Sequence, residues 1–206
     1  MGKTKKKIII ASLILFIALT VLFALLLKRR VDTPQEYVDY LRTITCYSSD
    51  VNYFVINDKG QFEEKARLYY DAEKGYRLEL GEDRVYFYIK DTIIVKDLKS
   101  NRSYTLKEDF DVFYKWAFLR DFVELIYTNE EVKIYSENKE GKNYLFIELY
   151  IPGGNKNIDK GILQVNTDTK APEKLCILDF KGNIKAEIVY SNFIIEKELN
   201  AALFEH

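Results

Sequence analysis

The feature that most restricts the fold of this chain is a succession of short apolar and aromatic runs separated by turn residues. Asp58-Lys59-Gly60, Gly81-Glu82-Asp83 and Lys99-Ser100-Asn101 are three of these turns. Runs and turns in this order are typical of antiparallel strands joined as hairpins. We predict eleven strands, at residues 47–57, 61–70, 76–80, 84–90, 93–98, 102–107, 131–137, 143–151, 161–167, 173–179 and 184–192.

Alternation along these runs indicates which side chains share a face of the sheet. Val85 and Phe87 alternate with Tyr86 and Tyr88, and the strand at 143–151 shows the same pattern. One face is therefore aliphatic, and the other mixes tyrosine with charged residues. We expect the sheet to curl over its aliphatic face or to be covered there by another element.

One long segment of the body has helical periodicity instead. Residues 110–127 carry Phe113, Trp116 and Phe122 on a broad apolar stripe, with charged residues placed elsewhere. We predict a single long helix here, lying on the concave side of the sheet. Phe113, Trp116 and Phe122 are then the residues expected to line any cavity between the helix and the sheet.

Two shorter helices are expected at the ends of the body. Thr33-Pro34-Gln35-Glu36 has the capping-box pattern with proline at the first helical position, so a helix should start there. Tyr37, Leu41 and Ile44 recur at helical spacing and predict that one face of this helix packs on the body. The tail at 198–204 is expected to add a short second helix.

The N-terminus has the pattern of a membrane anchor. Residues 8–27 carry no charge and are flanked by Lys7 and by Lys28-Arg29-Arg30. A helix of this length spans roughly 30 Å, the thickness of the hydrocarbon layer. A cleaved signal peptide is the alternative, but its apolar region is shorter and a small-residue cleavage site follows it. We therefore predict a retained transmembrane helix at 8–27 within an anchor at 1–30, and an extracytoplasmic domain at 31–206.

The distribution of charge argues against nucleic acid as a partner. Seven of the 31 Lys and Arg residues lie in residues 1–30, which leaves 24 bases against 32 acids in the body. Nucleic-acid binding needs clustered bases to neutralise phosphate, and this body is acidic.

The sequence offers little for catalysis. Its one histidine is the terminal His206, and Cys46 and Cys176 lie far apart in sequence, so neither a His-based nucleophile nor a four-ligand zinc site is expected. We predict no cofactor and no enzymatic activity. A carboxylate-based hydrolase stays open as an alternative and would need two close Asp or Glu side chains in a groove. Whether the two cysteines form a disulfide also stays open.

A partner contact is expected on the charged side of the predicted long helix. Phe118 falls there by its spacing from Asp111 and Asp121, with Tyr114 nearby. An aromatic side chain on the polar side of a helix is expected to be exposed. We therefore predict Tyr114 and Phe118 as partner-binding residues.

Several stretches resemble a known family. An apolar N-terminus followed by TPQEYVDYL at 33–41, YRLELG at 76–81, YTNEE at 127–131 and IPGGNKN at 151–157 is similar to the clostridial germination lipoprotein GerS and its relatives. The resemblance covers most of residues 33–204. It implies the fold of the LolA/LolB-type lipoprotein carriers, an unclosed antiparallel β-barrel of about eleven strands with helices on its concave side.

The resemblance also implies a function. Members of this family are accessory proteins on the outer side of a membrane in spore-forming anaerobes, and they act in germination with a cortex-modifying N-acetylmuramoyl-L-alanine amidase. The zinc and the catalytic groups belong to that partner. This chain has no cysteine before Cys46 to accept a lipid, so the apolar helix itself would hold the protein in the cell or forespore membrane.

Two functional hypotheses follow. The first is a membrane-anchored, non-enzymatic binding protein whose partner is a cell-wall or cortex amidase. The second is an anchored binding protein for a lipid or lipopeptide, which would require an open apolar cavity of about 300 Å³ or more. The identity of the partner and the oligomeric state do not follow from the sequence.

Overall fold

The computed structural model describes residues 16–17, 19–21, 33–57, 60–111 and 113–206. The chain divides into two compact units, residues 1–33 and 34–206. In the first unit, residues 16, 17 and 19–21 are helical, and the rest of the predicted anchor at 8–27 lies outside the described residues. Among the residues that are described, no helix is both long enough and apolar enough to cross a membrane.

The second unit is built on one antiparallel sheet, which has eleven strands in the described part of the chain. The strands are β1 (Cys46–Asn57), β2 (Gly60–Asp71), β3 (Gly75–Leu80), β4 (Arg84–Ile89), β5 (Thr92–Asp97), β6 (Arg102–Lys107), β7 (Val132–Lys139), β8 (Lys142–Tyr150), β9 (Lys160–Asn166), β10 (Ala171–Leu178) and β11 (Ile184–Ile195). Each corresponds to a predicted strand, so the turn residues located every hairpin. The prediction of a mainly β protein is confirmed.

The two edge strands of the sheet are consecutive in the chain. Across the sheet the order is β6-β5-β4-β3-β2-β1-β11-β10-β9-β8-β7. Strands β1 and β11 therefore pair in the middle, where Val51 lies opposite Tyr190. The two edges are β6 and β7, and they do not pair, so the sheet is open. The segment between them must therefore return from one edge to the other. We call residues 108–128 the linker.

The face of the sheet that packs against the linker holds the core, and we call it the inner face. In β8 the aliphatic residues Leu145 and Ile147 point inward and are fully buried, as predicted. In β4 the prediction of an inward aliphatic face is wrong, because Tyr86 and Tyr88 belong to the core cluster and Phe87 does not. Both hydroxyl groups have partners there: the Tyr88 hydroxyl donates to Asp111 of the linker, and the Tyr86 hydroxyl accepts from Arg84 Nη1 at 3.3 Å.

Phe87 is buried on the outer face by the C-terminal tail. A short 3-10 helix at Ala201–Phe204 lies there, which is the short terminal helix expected from the sequence. Arg77 Nη1 donates a hydrogen bond to the Leu203 carbonyl oxygen at 2.5 Å, and the His206 ring centroid lies 5.7 Å from that of Phe87. The tail therefore shields Phe87 from solvent, although its side chain does not belong to the main core.

The linker is not the single long helix that its periodicity predicted. It consists of two 3-10 turns, Glu108–Phe110 and Tyr114–Ala117, followed by an α-helix, Leu119–Thr128, which we call α2 because α1 is the Pro34–Thr43 helix. The break falls at Phe118, whose backbone is extended, with φ −80° and ψ 95°.

Burial of Phe118 accompanies this break. Its ring stacks on the Tyr76 ring with centroids 3.8 Å apart, and the Tyr88 ring meets it edge-on at 4.7 Å. A continuous helix would have placed Phe118 on the charged face, so the extended backbone is what turns this residue toward the sheet.

A tyrosine of β1 replaces the missing cap of α2. Phenylalanine at the N-cap position has no oxygen to accept from the first helical N–H groups, which are unpaired in every helix. The Leu119 backbone N–H donates instead to the Tyr47 hydroxyl at 3.2 Å. Tyr47 is 1% exposed, and its burial raises the pKa of its hydroxyl well above the usual range.

Two more tyrosines satisfy carbonyl groups at the linker's other irregular positions. The Tyr53 hydroxyl donates to the Tyr114 carbonyl oxygen at 3.0 Å, and the Tyr190 hydroxyl donates to the Ala117 carbonyl oxygen at 3.1 Å. Burial raises the pKa of both hydroxyl groups, so they remain protonated donors. The sheet thus supplies the hydrogen bonds that a broken helix cannot make for itself.

Helix α1 packs beside α2 as the predicted face requires. Val38 and Leu41 are buried, and Ile44 is buried just after the helix ends. Arg120 Nη1 of α2 donates to the carbonyl oxygen of Arg42, the basic residue in the last turn of α1, at 2.7 Å. This contact fixes α1 to the start of α2.

The two cysteines are free thiols. Cys46 is buried on β1, and Cys176 is half-buried on β10. Burial, with a smaller contribution from the Glu187 carboxylate, raises the pKa of Cys176 to about 11. The structure therefore assigns no disulfide to the body.

The tyrosine contacts can be tested by removing a single hydroxyl group. We expect Tyr190→Phe to lower the free energy of unfolding by about 1–3 kcal/mol, because the buried Ala117 carbonyl loses its partner. Urea unfolding of the variant measures this difference. Tyr104→Phe is the control, since Tyr104 lies on the edge strand β6 and is 46% exposed. Equal effects of the two substitutions would contradict the role assigned to Tyr190.

Close approach of α2 to the sheet gives a second test. A Cβ atom added to Gly161 would lie 2.7 Å from Cε2 of Phe122, so Gly161→Ala should destabilise the protein by about 1–3 kcal/mol through overpacking. In a Phe122→Leu background the same change should cost much less. A double-mutant cycle measures the coupling, and a coupling of zero would show that Phe122 does not set the need for glycine.

Candidate binding surface on the linker

A half-open cleft of about 430 Å³ lies along the linker, and we call it the linker cleft. Its walls are formed by Asp109, Asp111, Lys115, Trp116, Phe118, Asp121, Phe122, Leu125 and Pro152. All of these except Pro152 belong to the linker, so the cleft lies between the helical pieces of the linker rather than between the linker and the sheet. The break at Phe118 therefore determines its shape.

The residues predicted to line a cavity are divided between two places. Trp116 and Phe122 line the linker cleft. Phe113 lines a smaller pocket of about 250 Å³ at the ends of β1 and β11, together with Trp116 and Ile158. Trp116, the single tryptophan of the chain, thus contributes to both cavities.

The two residues predicted to contact a partner are engaged inside the protein. Phe118 is 1% exposed, so the expectation that it is exposed on the charged side of a helix is wrong. The Tyr114 hydroxyl donates to Glu64 Oε2 at 2.6 Å, and its ring meets the Tyr53 ring edge-on. Burial and the Glu64 carboxylate raise the pKa of Tyr114. Both side chains therefore attach the linker to the sheet.

An exposed aromatic residue that the sequence prediction missed lies beside the cleft. Phe110 is 73% exposed, and its neighbours Asp109 and Asp111 both line the cleft. In the prediction from sequence, Phe110 is only the first residue of the helix at 110–127 and has no assigned contact. Its position between two aspartates was the available sign of exposure.

Two of the cleft aspartates also connect the linker to the inner face of the sheet. Asp111 accepts a hydrogen bond from the Tyr88 hydroxyl, and Asp121 accepts one from the Tyr76 hydroxyl at 3.2 Å. Burial, and then the neighbouring carboxylate in the case of Tyr88, raise the pKa of these phenols. The hydroxyl groups stay protonated, so each aspartate has a permanent donor.

The hydrolase alternative would need a pair of carboxylates in such a groove. Asp109, Asp111 and Asp121 do line one groove, and Asp111 also accepts from the backbone N–H groups of Phe113 and Tyr114, at 2.8 and 3.0 Å. These contacts are those of a turn that positions the linker. Within the part of the chain that the structure describes, no group of three His, Cys, Asp or Glu residues is arranged to hold a metal ion.

Comparison with solved structures finds chains that are similar to this one over most of its length. The chain is similar to an uncharacterized conserved protein from Thermus thermophilus, with a TM-score of 0.56 and 12% identity over 85% of this chain and 94% of that chain. It is also similar to a LolA superfamily protein from Nitrosomonas europaea, with a TM-score of 0.43 and 11% identity over 85% of this chain and 99% of that chain. For the structure of the CwlD amidase from Clostridioides difficile in complex with the GerS lipoprotein, the TM-score is 0.41 and the identity 27%, over 84% of this chain and 97% of that chain.

Comparison of the sequence itself identifies the family. No curated protein sequence matches the chain. The family model for "Sporulation protein YdcC-like" matches residues 5–204, which is nearly the whole sequence. The relation to spore-forming bacteria that residues 33–41 and 151–157 suggested is confirmed by this match. The chain therefore belongs to the YdcC-like family of sporulation proteins.

Proposed function

We propose that this protein is a membrane-anchored, non-enzymatic binding protein whose linker surface holds a protein partner during sporulation or germination. The observation that supports this most directly is the exposed Phe110 beside the apolar linker cleft. Protein interfaces commonly centre on an aromatic residue next to a pocket that can be desolvated. The family match supplies the sporulation context.

Rigidity of the linker favours this role. The hydroxyl groups of Tyr47, Tyr53 and Tyr190 attach it to the sheet before any partner arrives. A surface that is already ordered loses less conformational entropy on binding, so more of the contact energy appears as affinity. Without these three hydrogen bonds the linker would be less ordered before binding, and ordering it would cost more conformational entropy.

The proposed anchor is the uncharged run at residues 8–27. With Lys residues preceding it, the positive-inside rule supports a cytoplasmic N-terminus and an extracytoplasmic body in the cell or forespore membrane. The proposed partner is a cell-wall or cortex amidase, which rests on the resemblance of residues 33–41, 76–81 and 151–157 to the GerS-related family. To alter the activity of an enzyme, the body would have to bind one of its conformations more tightly than another.

Direct binding to the amidase tests the proposal. The full chain in phosphatidylcholine nanodiscs should bind the N-acetylmuramoyl-L-alanine amidase of the same organism, and Phe110→Ala should weaken the affinity by about tenfold or more, the loss typical of a central aromatic contact. Biolayer interferometry measures both constants. Phe180→Ala is the matched control, because Phe180 is 58% exposed in the turn after β10. No binding, or equal losses for the two variants, would refute the proposal.

A lipid or lipopeptide is the second candidate ligand, and the volume of the linker cleft favours it. The cleft measures about 430 Å³, which is above the roughly 300 Å³ at which small-molecule sites begin. Trp116, Phe122 and Leu125 are among its apolar lining residues, and an acyl chain could lie against them.

The single tryptophan gives this candidate a clean test. In vesicles with brominated acyl chains, entry of a chain into the cleft should quench the emission of Trp116, since no other tryptophan is present. Leu125→Phe should reduce the quenching by filling the cleft, whereas Leu98→Phe, at an exposed turn, should not. Unquenched Trp116 emission in the unsubstituted protein would exclude an acyl chain from the cleft.

A further inference from the structure

The linker cleft combines apolar walls with an excess of negative charge. Three carboxylates, from Asp109, Asp111 and Asp121, line it together with one ammonium group, from Lys115. The remaining walls come from aromatic and aliphatic side chains and Pro152. A ligand that suits the cleft therefore needs an apolar centre and positive charge at its margins.

Asp111 contributes a charge that its own contacts do not neutralise. Among the described residues, its donors are the Tyr88 hydroxyl and the backbone N–H groups of Phe113 and Tyr114. None of these donors carries a positive charge. They hold the carboxylate in place at the wall of the cleft, where its field acts on whatever enters.

The acidic character continues past the end of the cleft. A second, shallower depression of about 610 Å³ shares Pro152 with the linker cleft and is lined by Glu130 and Glu131. Both glutamates are exposed. The exposed Phe110 lies in sequence between Asp109 and Asp111, which both line the linker cleft. Carboxylates therefore accompany the apolar walls of both depressions.

We infer that the linker cleft binds a basic peptide segment of its partner, in which one or two large apolar side chains enter the cleft and flanking lysine or arginine side chains face Asp109, Asp111, Glu130 and Glu131. This inference rests on the proposed function and specifies the chemistry of the partner. It disfavours an anionic lipid, whose headgroup the same carboxylates would repel.

Trp116 emission also reports this binding. The probe is the peptide KKLFLKK, which has no tryptophan, titrated into the full chain in phosphatidylcholine nanodiscs; its acidic counterpart is EELFLEE. We expect the basic peptide to bind at least about tenfold more tightly than the acidic one, and its affinity to fall when NaCl is raised from about 0.05 to 0.5 M, because salt screens exposed charges.

Charge reversal at one position tests the location. Asp109→Lys should weaken KKLFLKK binding by about fivefold or more, because it replaces an attraction at the rim by a repulsion. Glu82→Lys, which makes the same charge change at an exposed turn far from the cleft in sequence, should change it by less than about twofold. Unchanged thermal unfolding of both variants verifies the fold.

Several outcomes would overturn the inference. The first is equal affinity of the protein for KKLFLKK and EELFLEE. The second is an equal effect of Asp109→Lys and Glu82→Lys on the affinity for KKLFLKK. The third is quenching of Trp116 emission by brominated phosphatidylglycerol without binding of the basic peptide. The result is separable from that of the amidase experiment. Amidase binding that depends on Phe110 but not on Asp109 or salt would refute only the basic segment, and peptide binding without amidase binding would refute only the choice of partner.

Discussion

The structure depends on the hydrogen bonds between tyrosines of the sheet and the backbone of the linker. Since β1 and β11 meet in the middle of the sheet, the two edges are joined by the linker, which has to cross the inner face. A continuous helix could make that crossing with its backbone groups paired, but the linker is broken at Phe118. Tyr47, Tyr53 and Tyr190 supply the partners that the break removes, and without them the buried backbone groups would each destabilise the fold.

Local patterns in the sequence were sufficient for the strands and insufficient for the linker. Turn residues and alternation located all eleven strands, because a hairpin is specified by residues close together in sequence. Alternation alone does not say which set of residues faces inward, so Tyr86 and Tyr88 were assigned to the wrong face. The helix break at Phe118 depends on Tyr47, 72 residues away from the Leu119 N–H that it caps. The residue pattern within 110–127 contains no information about this cap, because Tyr47 lies outside that segment.

The irregular linker explains why the candidate site differs from the predicted one. Phe118, at the break before α2, is buried against the sheet, whereas Phe110, the last residue of the first 3-10 turn, is 73% exposed. The candidate surface is therefore made by the irregular parts of the linker, while the regular sheet beneath keeps them in position. Substitutions on the exposed side of the linker would therefore change this candidate surface without altering the strand pairing.

Pairing of β1 with β11 has a further consequence for the order in which the molecule assembles. Strands β1–β6 form consecutive hairpins and can pair as they are synthesised, and β7–β11 can do the same. The two halves join only when the last strand reaches β1, and Tyr190, which lies on that strand, then contacts the linker. Contacts this distant in sequence slow folding. The candidate surface on the linker is therefore complete only after the final strand has been synthesised, and a growing chain does not yet present it.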